Sequence, residues 1–268
     1  MRYAYWLAQF CYRWGFVKTG SYLARFLKNA LGVYNTFIIK RTTPYTDAWW
    51  DETFYASKIS DSQTINRSMD RYSTQYHYAS VELLITRALF ERAKQTQLGS
   101  VLDIGSGAGH WIKFYANLGA SEICGLDVSQ KAVEFLQNEY AHNEHIRLKH
   151  GPAHLIVDSF ETKFDLVNAI GVMFHIVDDA QWEAPLSTIS AHLNSGGYLV
   201  VGGYFGWLNG LNVQADKNGV NKRLRSRFVW KRTLKALGFE DITLIKNKAS
   251  YEIARILPES HILIAKKK

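Results

Sequence analysis

Three glycines alternate with small residues directly after a short apolar run, and they are the strongest local signal in the chain. The apolar run covers 101–104, and the glycines are Gly105, Gly107 and Gly109. Because glycine has no Cβ, a ligand can approach the backbone of such a turn closely. The G-x-G-x-G spacing departs from the G-x-G-x-x-G of dinucleotide-binding proteins. Asp103 precedes the turn, where its carboxylate would repel a pyrophosphate and attract a cationic amino-acid group.

A second carboxylate follows the next apolar run. Asp127 directly follows the run 123–126, about 20 residues beyond the glycine turn. At this position an acidic residue can accept hydrogen bonds from both hydroxyls of a ribose. The structural alternative is that Asp127 begins a helix together with nearby Ser129. We favour ribose binding, because the glycine turn lies upstream.

The elements that would position these residues alternate from residue 98 onward. Short apolar runs alternate with helical stretches, which predicts βαβ units and an α/β, doubly wound, mostly parallel sheet. The seven predicted strands cover 101–104, 123–128, 146–150, 164–169, 198–204, 241–245 and 261–265. The predicted helices cover 111–118, 130–139, about 180–193 and 228–237. Little sequence between the last two strands could form a crossover helix, which predicts a terminal antiparallel hairpin.

Residues 1–97 have a different character, and we interpret them as a helical N-terminal extension or lid. Helices are predicted at 3–17, 21–32 and 78–94, and a loop or short helix at 57–70. The segment is rich in aromatic residues. Residues 1–46 contain seven Lys and Arg residues and no acidic residue.

The segment 98–268 resembles the class I S-adenosylmethionine-dependent methyltransferases of the small-molecule type. Its markers occur in the family's order: Asp103 with the glycine turn, Asp127, the fourth-strand region 164–175, the turn into strand five at 193–199, and the helix end at 234–239. The resemblance implies a Rossmann-like methyltransferase domain with a substrate insertion at about 204–230. It also implies S-adenosylmethionine as cofactor, S-adenosylhomocysteine as product, and no metal.

The resemblance also implies a set of cofactor-binding residues. They are Asp103, Gly105, Ser106, Gly107, Gly109, Asp127, Val128, Pro152, Ala153, Ile170 and Tyr76. One position departs from the family pattern, because Pro152 stands where many members have an acidic residue that contacts the adenine amine. We therefore expect backbone groups and apolar packing to hold the adenine.

Two histidines are candidates for a catalytic base. Methyl transfer depends mainly on alignment, and a base is needed only where the acceptor must lose a proton. His175 follows the fourth predicted strand, and the alternative is a partly buried histidine that shapes the pocket. His77 lies between Tyr76 and Tyr78, where related enzymes often place a segment covering the cofactor; the alternative is ordinary aromatic packing. We expect His110 to pack beside the glycine turn.

Aromatic and basic residues after the fifth predicted strand are candidates for binding the acceptor. The predicted substrate residues are Tyr78, Tyr204, Phe205, Trp207, Arg227 and Trp230. A dense basic run comprises Lys217, Lys222, Arg223, Arg225, Arg227, Lys231 and Arg232. We favour a solvated helix face for this run, and the alternative is a contact for phosphate, carboxylate or anionic lipid.

Several acceptor classes are disfavoured by missing motifs. The turn after the fourth predicted strand lacks the Asn/Asp-Pro-Pro-aromatic pattern of enzymes that methylate amino groups of nucleic acids, and it lacks the paired glutamates of arginine methylation. Neither Cys11 nor Cys124 follows the pattern of cytosine C5 enzymes. Asp178 and Asp179 are more simply a helix start than metal ligands. We therefore predict methylation of a small molecule, with an oxygen of a natural product, sugar or lipid as the acceptor.

Composition leaves other partners open. The net charge of +8 indicates either an anionic partner, which includes an anionic acceptor, or a well-solvated basic surface, and neither is favoured. The alternative function is a membrane-surface or RNA-associated binding protein, or an RNA methyltransferase, using the basic N-terminus. A nicotinamide oxidoreductase is disfavoured by the loop spacing, and nucleic acid is disfavoured as a partner. No transmembrane segment is expected, and peripheral membrane contact stays open. The two cysteines form no disulfide framework in the sequence, which indicates a reducing compartment, the cytoplasm. The sequence does not determine the oligomeric state.

Overall fold

The computed structural model describes most of the chain from residue 46 onward. It covers 46–65, 70–93, 98–155, 160–206, 212–216, 219–247 and 261–268, with scattered positions before residue 46. The helices predicted at 3–17 and 21–32 lie largely outside the described residues. Trp207 also lies outside them.

Seven strands form the central sheet, and two more form a separate hairpin. The strands are β1 (Ser100–Ile104), β2 (Glu122–Asp127), β3 (Ile146–His150), β4 (Phe164–Ile170), β5 (Leu193–Gly203), β6 (Asn212–Asp216), β7 (Gly219–Leu224), β8 (Phe239–Ile245) and β9 (His261–Lys267). The sheet order is β3-β2-β1-β4-β5-β9-β8, and β6 pairs with β7. Strands β1 to β5 are parallel, whereas β9 runs antiparallel to both of its neighbours. The predicted fold class is therefore confirmed, including the terminal antiparallel hairpin.

Helices cover both faces of this sheet. A short α-helical turn, Asp47–Trp49, continues into a π-helix, Trp50–Phe54. Beyond residue 60 the described α-helices are α1 (Asp61–Ile65), α2 (Arg71–Ala93), α3 (His110–Asn117), α4 (Gln130–Glu139), α5 (Asp179–His192) and α6 (Arg227–Ala236). Successive side chains of a strand point to opposite faces, so Val101 packs with residues of α2 and α3 while Leu102 packs with residues of α5 and α6. Because α2 packs against the sheet in a shared hydrophobic core, the side chains of α2 have fixed positions relative to the strand ends. The domain boundary near residue 97 stays a prediction.

Three segments differ from the sequence-based expectations. The helix predicted from residue 78 begins at Arg71, and the strand predicted from residue 198 begins at Leu193. The basic run was expected to form a solvated helix face, but Gly219–Leu224 is a strand, so that expectation is wrong for this part of the run. The remainder of the run, from Arg227 onward, is helical as predicted.

The positions of helix starts follow local capping. Ser129 accepts a hydrogen bond from the backbone N–H of Ala132 and begins α4, and Asp178 accepts one from Gln181 and begins α5. The expected helix start at Asp178 is confirmed. Within the described residues, no helix combines the length and the apolar character that crossing a bilayer requires.

Candidate active site

A cavity opens at the carboxyl edge of the parallel strands. Its volume is about 650 Å³, within the range of small-molecule sites. Strand order reverses between β1 and β4, and ligands of open α/β sheets bind at such a switch point. The sheet edge contributes Gly105, Asp127, Val128, Ile170 and Gly203 to the cavity lining.

Asp127 is held at the cavity by the glycine turn. The backbone N–H of Gly107 donates to Asp127 Oδ2 over 2.8 Å, and the backbone N–H of Ser129 donates to Oδ1 over 2.8 Å. Burial raises the pKa of Asp127, whereas the two N–H donors act in the opposite direction. The carboxylate is therefore oriented before any ligand arrives.

Asp103 lies behind the same turn, fully buried. Asn168 Nδ2 donates to Asp103 Oδ1 over 2.7 Å, because the β1–β4 register places these residues side by side. Tyr115 Oη donates in turn to Asn168 Oδ1 over 3.0 Å. Within the described part of the chain, Asp103 Oδ2 has no hydrogen-bond partner. Burial raises the pKa of Asp103 to about 6, so a cationic group nearby would stabilise its ionised form.

The remaining residues of the turn support the backbone. Ser106 is buried, and its Oγ donates to the Asp103 carbonyl over 3.0 Å. A Cβ on Gly107 would lie 3.0 Å from Tyr55 Oη and 2.9 Å from Thr64 Cγ2, so residues preceding the sheet cover the turn closely. Gly109 precedes α3 directly. Pro152 and Ala153 line the cavity beyond the end of β3.

One wall of the cavity is formed by residues 46–55, here called the aromatic segment. Trp49, Trp50 and Phe54 line the cavity, and their ring centroids lie 4.9–5.6 Å apart. Asp51 attaches the segment to α4: its Oδ1 accepts from Ser129 Oγ over 2.5 Å, and its backbone carbonyl accepts from Lys131 Nζ over 3.0 Å. The aromatic wall is therefore tied to the helix that follows Asp127.

His175 lies in a 3₁₀ turn, Met173–His175, after β4 and lines the cavity. Its ring centroid lies 5.2 Å from that of Trp50 and 4.4 Å from that of Phe174. Burial, and then the positive charge of Lys222, hold the pKa of His175 well below its usual range. The imidazole is therefore neutral at neutral pH.

His77 and Tyr78 reach the cavity from α2. Burial, and then His110, lower the pKa of His77 to about 4. Tyr78 stacks on His110 with centroids 3.3 Å apart, so His110 does pack beside the glycine turn as expected. Tyr76 is 38% exposed and lies outside the cavity lining, away from the cofactor position predicted for it.

The predicted substrate residues are divided by the structure. Tyr78 and Tyr204 line the cavity. Phe205 and Trp230 instead belong to the hydrophobic core, where the Trp230 ring lies 4.7 Å from that of Trp182. Arg227 is exposed and lies against the Phe228 ring. The structure therefore does not bring the predicted set together at one surface.

Sequence reasoning missed two groups that line the cavity. The aromatic segment was not singled out, although Trp49, Trp50 and Asp51 closely follow Thr43-Pro44, a dipeptide that marks a break in the chain. Lys222 was noted only as one of a basic run, yet it lines the cavity, unlike the other described residues of that run. Among the described residues, no group of three or more His, Cys, Asp or Glu side chains could hold a metal ion.

Comparison with known proteins agrees with this geometry. Residues 101–197 match the family model of a methyltransferase domain, which covers the glycine turn, Asp127 and His175. This part of the chain is therefore a methyltransferase domain. The resemblance inferred from the ordered motifs is thereby confirmed.

Curated relatives match parts of this chain. A ribosomal protein L11 methyltransferase of Lactobacillus gasseri is 33% identical over 104 residues, which are 39% of this chain and 31% of that protein. A protein of the same description from Lactobacillus johnsonii is 28% identical over 171 residues, which are 63% of this chain and 50% of that protein. The chain thus spans half or less of the length of these relatives.

Solved structures share the fold of this chain. Magnesium protoporphyrin IX methyltransferase from Synechocystis, with bound S-adenosylhomocysteine, superposes with a TM-score of 0.58 at 16% identity, covering 83% of this chain and 98% of that one. An amino pentose methyltransferase from Micromonospora echinaspora, with bound S-adenosylmethionine, gives 0.54 at 16% identity, covering 76% and 99%. At these identities the likeness concerns the fold.

Proposed function

We propose that this protein transfers a methyl group from S-adenosylmethionine to an oxygen of a small-molecule acceptor. The observation that carries the proposal is the shared cavity. Asp127 at the end of β2 and His175 after β4 line the same enclosed space, together with apolar and aromatic side chains. A natural product, sugar or lipid carrying a hydroxyl group is the acceptor class that fits such a space.

The residues present fit an adenosyl amino acid. Asp127, oriented by two backbone donors, would accept the ribose hydroxyls. The unpartnered, buried Asp103 Oδ2 supplies negative charge behind the turn, which suits a cationic amino-acid end. Val128, Pro152 and Ala153 offer apolar surface for an adenine. No acidic residue stands at position 152, so backbone groups there would provide its polar contacts.

The chain's own residues would align the acceptor and take its proton. S-adenosylmethionine would supply, when bound, a sulfonium methyl group, which passes to the acceptor oxygen by in-line displacement while S-adenosylhomocysteine leaves as a neutral thioether. His175 would accept the proton of the acceptor hydroxyl, because it lines the same cavity and is unprotonated in the resting site, which leaves a ring nitrogen available as an acceptor. Trp50 and Phe54 line the cavity with apolar surface that would hold the acceptor in place, which preserves the alignment on which the rate depends.

Calorimetric titration tests the cofactor part of the proposal. Wild-type protein should bind S-adenosylhomocysteine, and Asp127→Asn should weaken binding by about 10- to 100-fold because one charged acceptor is lost. Asp241→Asn, an exposed carboxylate on β8, is the matched control and should bind normally. A folded wild-type protein that fails to bind this ligand refutes the function.

The choice of base is tested by transfer of a labelled methyl group to pools of hydroxylated small molecules. His175→Gln should lower kcat by about 100-fold or more while cofactor affinity is retained. His77→Gln should have a smaller effect, if packing is its role. The reverse order would assign the base to His77, and unchanged kcat in both variants would remove proton transfer by histidine from the mechanism.

The cellular location belongs to the same proposal. Cys11 and Cys124 are both free thiols, which supports a reducing compartment such as the cytoplasm. None of the similar proteins described above supports the membrane-surface or RNA-binding alternative.

A further inference from the structure

Lys222 enters the cavity from strand β7, and its position is fixed by the residues around it. Arg225 is 2% exposed and donates through Nε and Nη2 to Asp179 Oδ1 over 3.0 and 2.8 Å. Its Nη1 donates to the Ile176 carbonyl over 2.9 Å, and the guanidinium lies over the Trp182 ring. Arg223 also pairs with Asp179. The strand is thereby attached to the start of α5.

Alternation along β7 sends Lys222 the other way. Arg223 in β7 and Arg225 just after it both pair with Asp179, so their side chains lie on the same side of the strand. Because successive side chains of a strand alternate, Lys222 points to the opposite side. There Lys222 lines the cavity, with Nζ 5.7 Å from the Phe174 ring centroid and 5.3 Å from that of Tyr204. Two aromatic rings therefore surround the ammonium group.

Lys222 has no anionic partner of its own in the described part of the chain. No ion pair or hydrogen bond involves its Nζ there, whereas Arg223 and Arg225 on the same strand are both paired. Burial alone lowers the pKa of Lys222, and no neighbouring carboxylate raises it. Holding an unpaired cation in an apolar enclosure is unfavourable, so its presence calls for a ligand.

The charges that face this end of the cavity define what the ligand carries. Asp127 is already engaged by two backbone donors, and Asp47 is exposed at the mouth. His175 is adjacent and electrically neutral. Lys222 is thus the cation available to an anionic ligand, while the carboxylate of Asp127 keeps its negative charge in the same cavity. A phosphate monoester, with nearly two negative charges, would be repelled by Asp127 more strongly than a carboxylate with one.

From this arrangement we infer that the methyl acceptor is a hydroxylated aromatic carboxylate, whose carboxylate group binds Lys222 and whose rings pack against Phe174, Tyr204 and Trp50. The inference rests on the proposed function and narrows its acceptor class. Lys222 is then a specificity-determining residue, and His175 beside it faces the hydroxyl to be methylated.

Binding of matched small probes tests this directly. The probes are benzoate, cinnamate and 2-naphthoate, each paired with its primary amide, and phenyl phosphate. Ligand-observed NMR titrations use full-length protein saturated with S-adenosylhomocysteine. Lys222→Met removes the charge and keeps the length of the side chain, while Lys231→Met removes the same charge from the exposed face of α6 as a matched control.

The expected result is selective and dependent on Lys222. Wild-type protein and Lys231→Met should bind at least one carboxylate about 10- to 100-fold more tightly than its amide, which is the worth of one charge-assisted hydrogen bond. Lys222→Met should lose that preference and bind the amides as before. Phenyl phosphate should bind more weakly than the best carboxylate.

Three results would overturn the inference. They are no selective carboxylate binding by the wild-type protein, an unchanged preference in Lys222→Met, or tighter binding of phenyl phosphate than of every carboxylate. Saturation with S-adenosylhomocysteine is measured first in the same samples. Its failure would count against the proposed function, whereas normal saturation without carboxylate preference counts against this inference alone.

Discussion

Replacing Gly105 by alanine should separate backbone strain from steric conflict at the glycine turn. Gly105 has φ of +74°, and a Cβ there would lie 2.3 Å from Val172 Cγ2. A non-glycine residue in the left-handed region costs roughly 1–2 kcal/mol. Forcing a side chain into an occupied space costs about 1–3 kcal/mol more. Gly105→Ala should therefore lower the free energy of unfolding by about 2–5 kcal/mol.

Gly119→Ala is the matched control. Gly119 has φ of +84°, similar to that of Gly105, but a Cβ there would meet no atom of the described residues within 4 Å. Only the backbone term then applies, which is roughly 1–2 kcal/mol. The difference between the two variants isolates the conflict with Val172.

Urea unfolding followed by tryptophan fluorescence measures both losses. Calorimetric titration with S-adenosylhomocysteine measures the second consequence, because Gly105 and Val172 both line the cavity. Binding should weaken in Gly105→Ala and stay normal in Gly119→Ala. Equal losses of stability in the two variants would refute the steric argument, and normal ligand binding by Gly105→Ala would refute the assignment of the turn to the cofactor.

Three further substitutions test other parts of the site. The pKa of Asp103 is about 6 in the folded protein, whereas the ordinary value is 3.8. Between pH 4 and pH 6 the folded state therefore binds a proton that the unfolded state has lost, and the free energy of unfolding falls as the pH rises through this range. Asp103→Asn should remove that pH dependence. Its free energy of unfolding, measured from denaturation curves, should exceed that of the wild type by up to about 3 kcal/mol at pH 8 and by little at pH 4. Asp179→Asn should lose about 1–3 kcal/mol, because buried Arg225 keeps only its carbonyl partners; an unchanged urea midpoint would contradict the anchoring of β7. Lys222→Met should raise the melting temperature of the ligand-free protein, since it removes an unpaired, desolvated charge, and a lower melting temperature would show that Lys222 is paired in solution.

The part of the site that sequence reasoning could predict is local in the chain. The glycine turn and Asp127 each follow directly from a buried strand, so their position at the sheet edge was fixed once the strands were recognised. Parallel strands end at one edge, which is why His175 after β4 was also predicted near them. Periodicity and capping gave most helix bounds to within a few residues.

The part that could not be predicted depends on contacts between distant segments. Asp51 meets Ser129 across 78 positions of the chain, and no local pattern indicates that pairing. Trp230 was expected at the acceptor because it follows an insertion, yet the orientation of α6 buries it against Trp182. The basic run looked uniform in sequence, but strand alternation separates Lys222 from Arg223 and Arg225, and only the folded hairpin reveals which of them faces the cavity.

The bond between Asp51 and the start of α4 has a thermodynamic consequence. Trp50 and Phe54 form the wall next to the acceptor space, while Ser129 follows the carboxylate assigned to the ribose. A ligand that orders the aromatic segment or the start of α4 reduces the conformational entropy that a second ligand at the other end must remove on binding. Linkage is reciprocal, so acceptor and cofactor should bind with positive cooperativity, each raising the affinity of the other by the same factor.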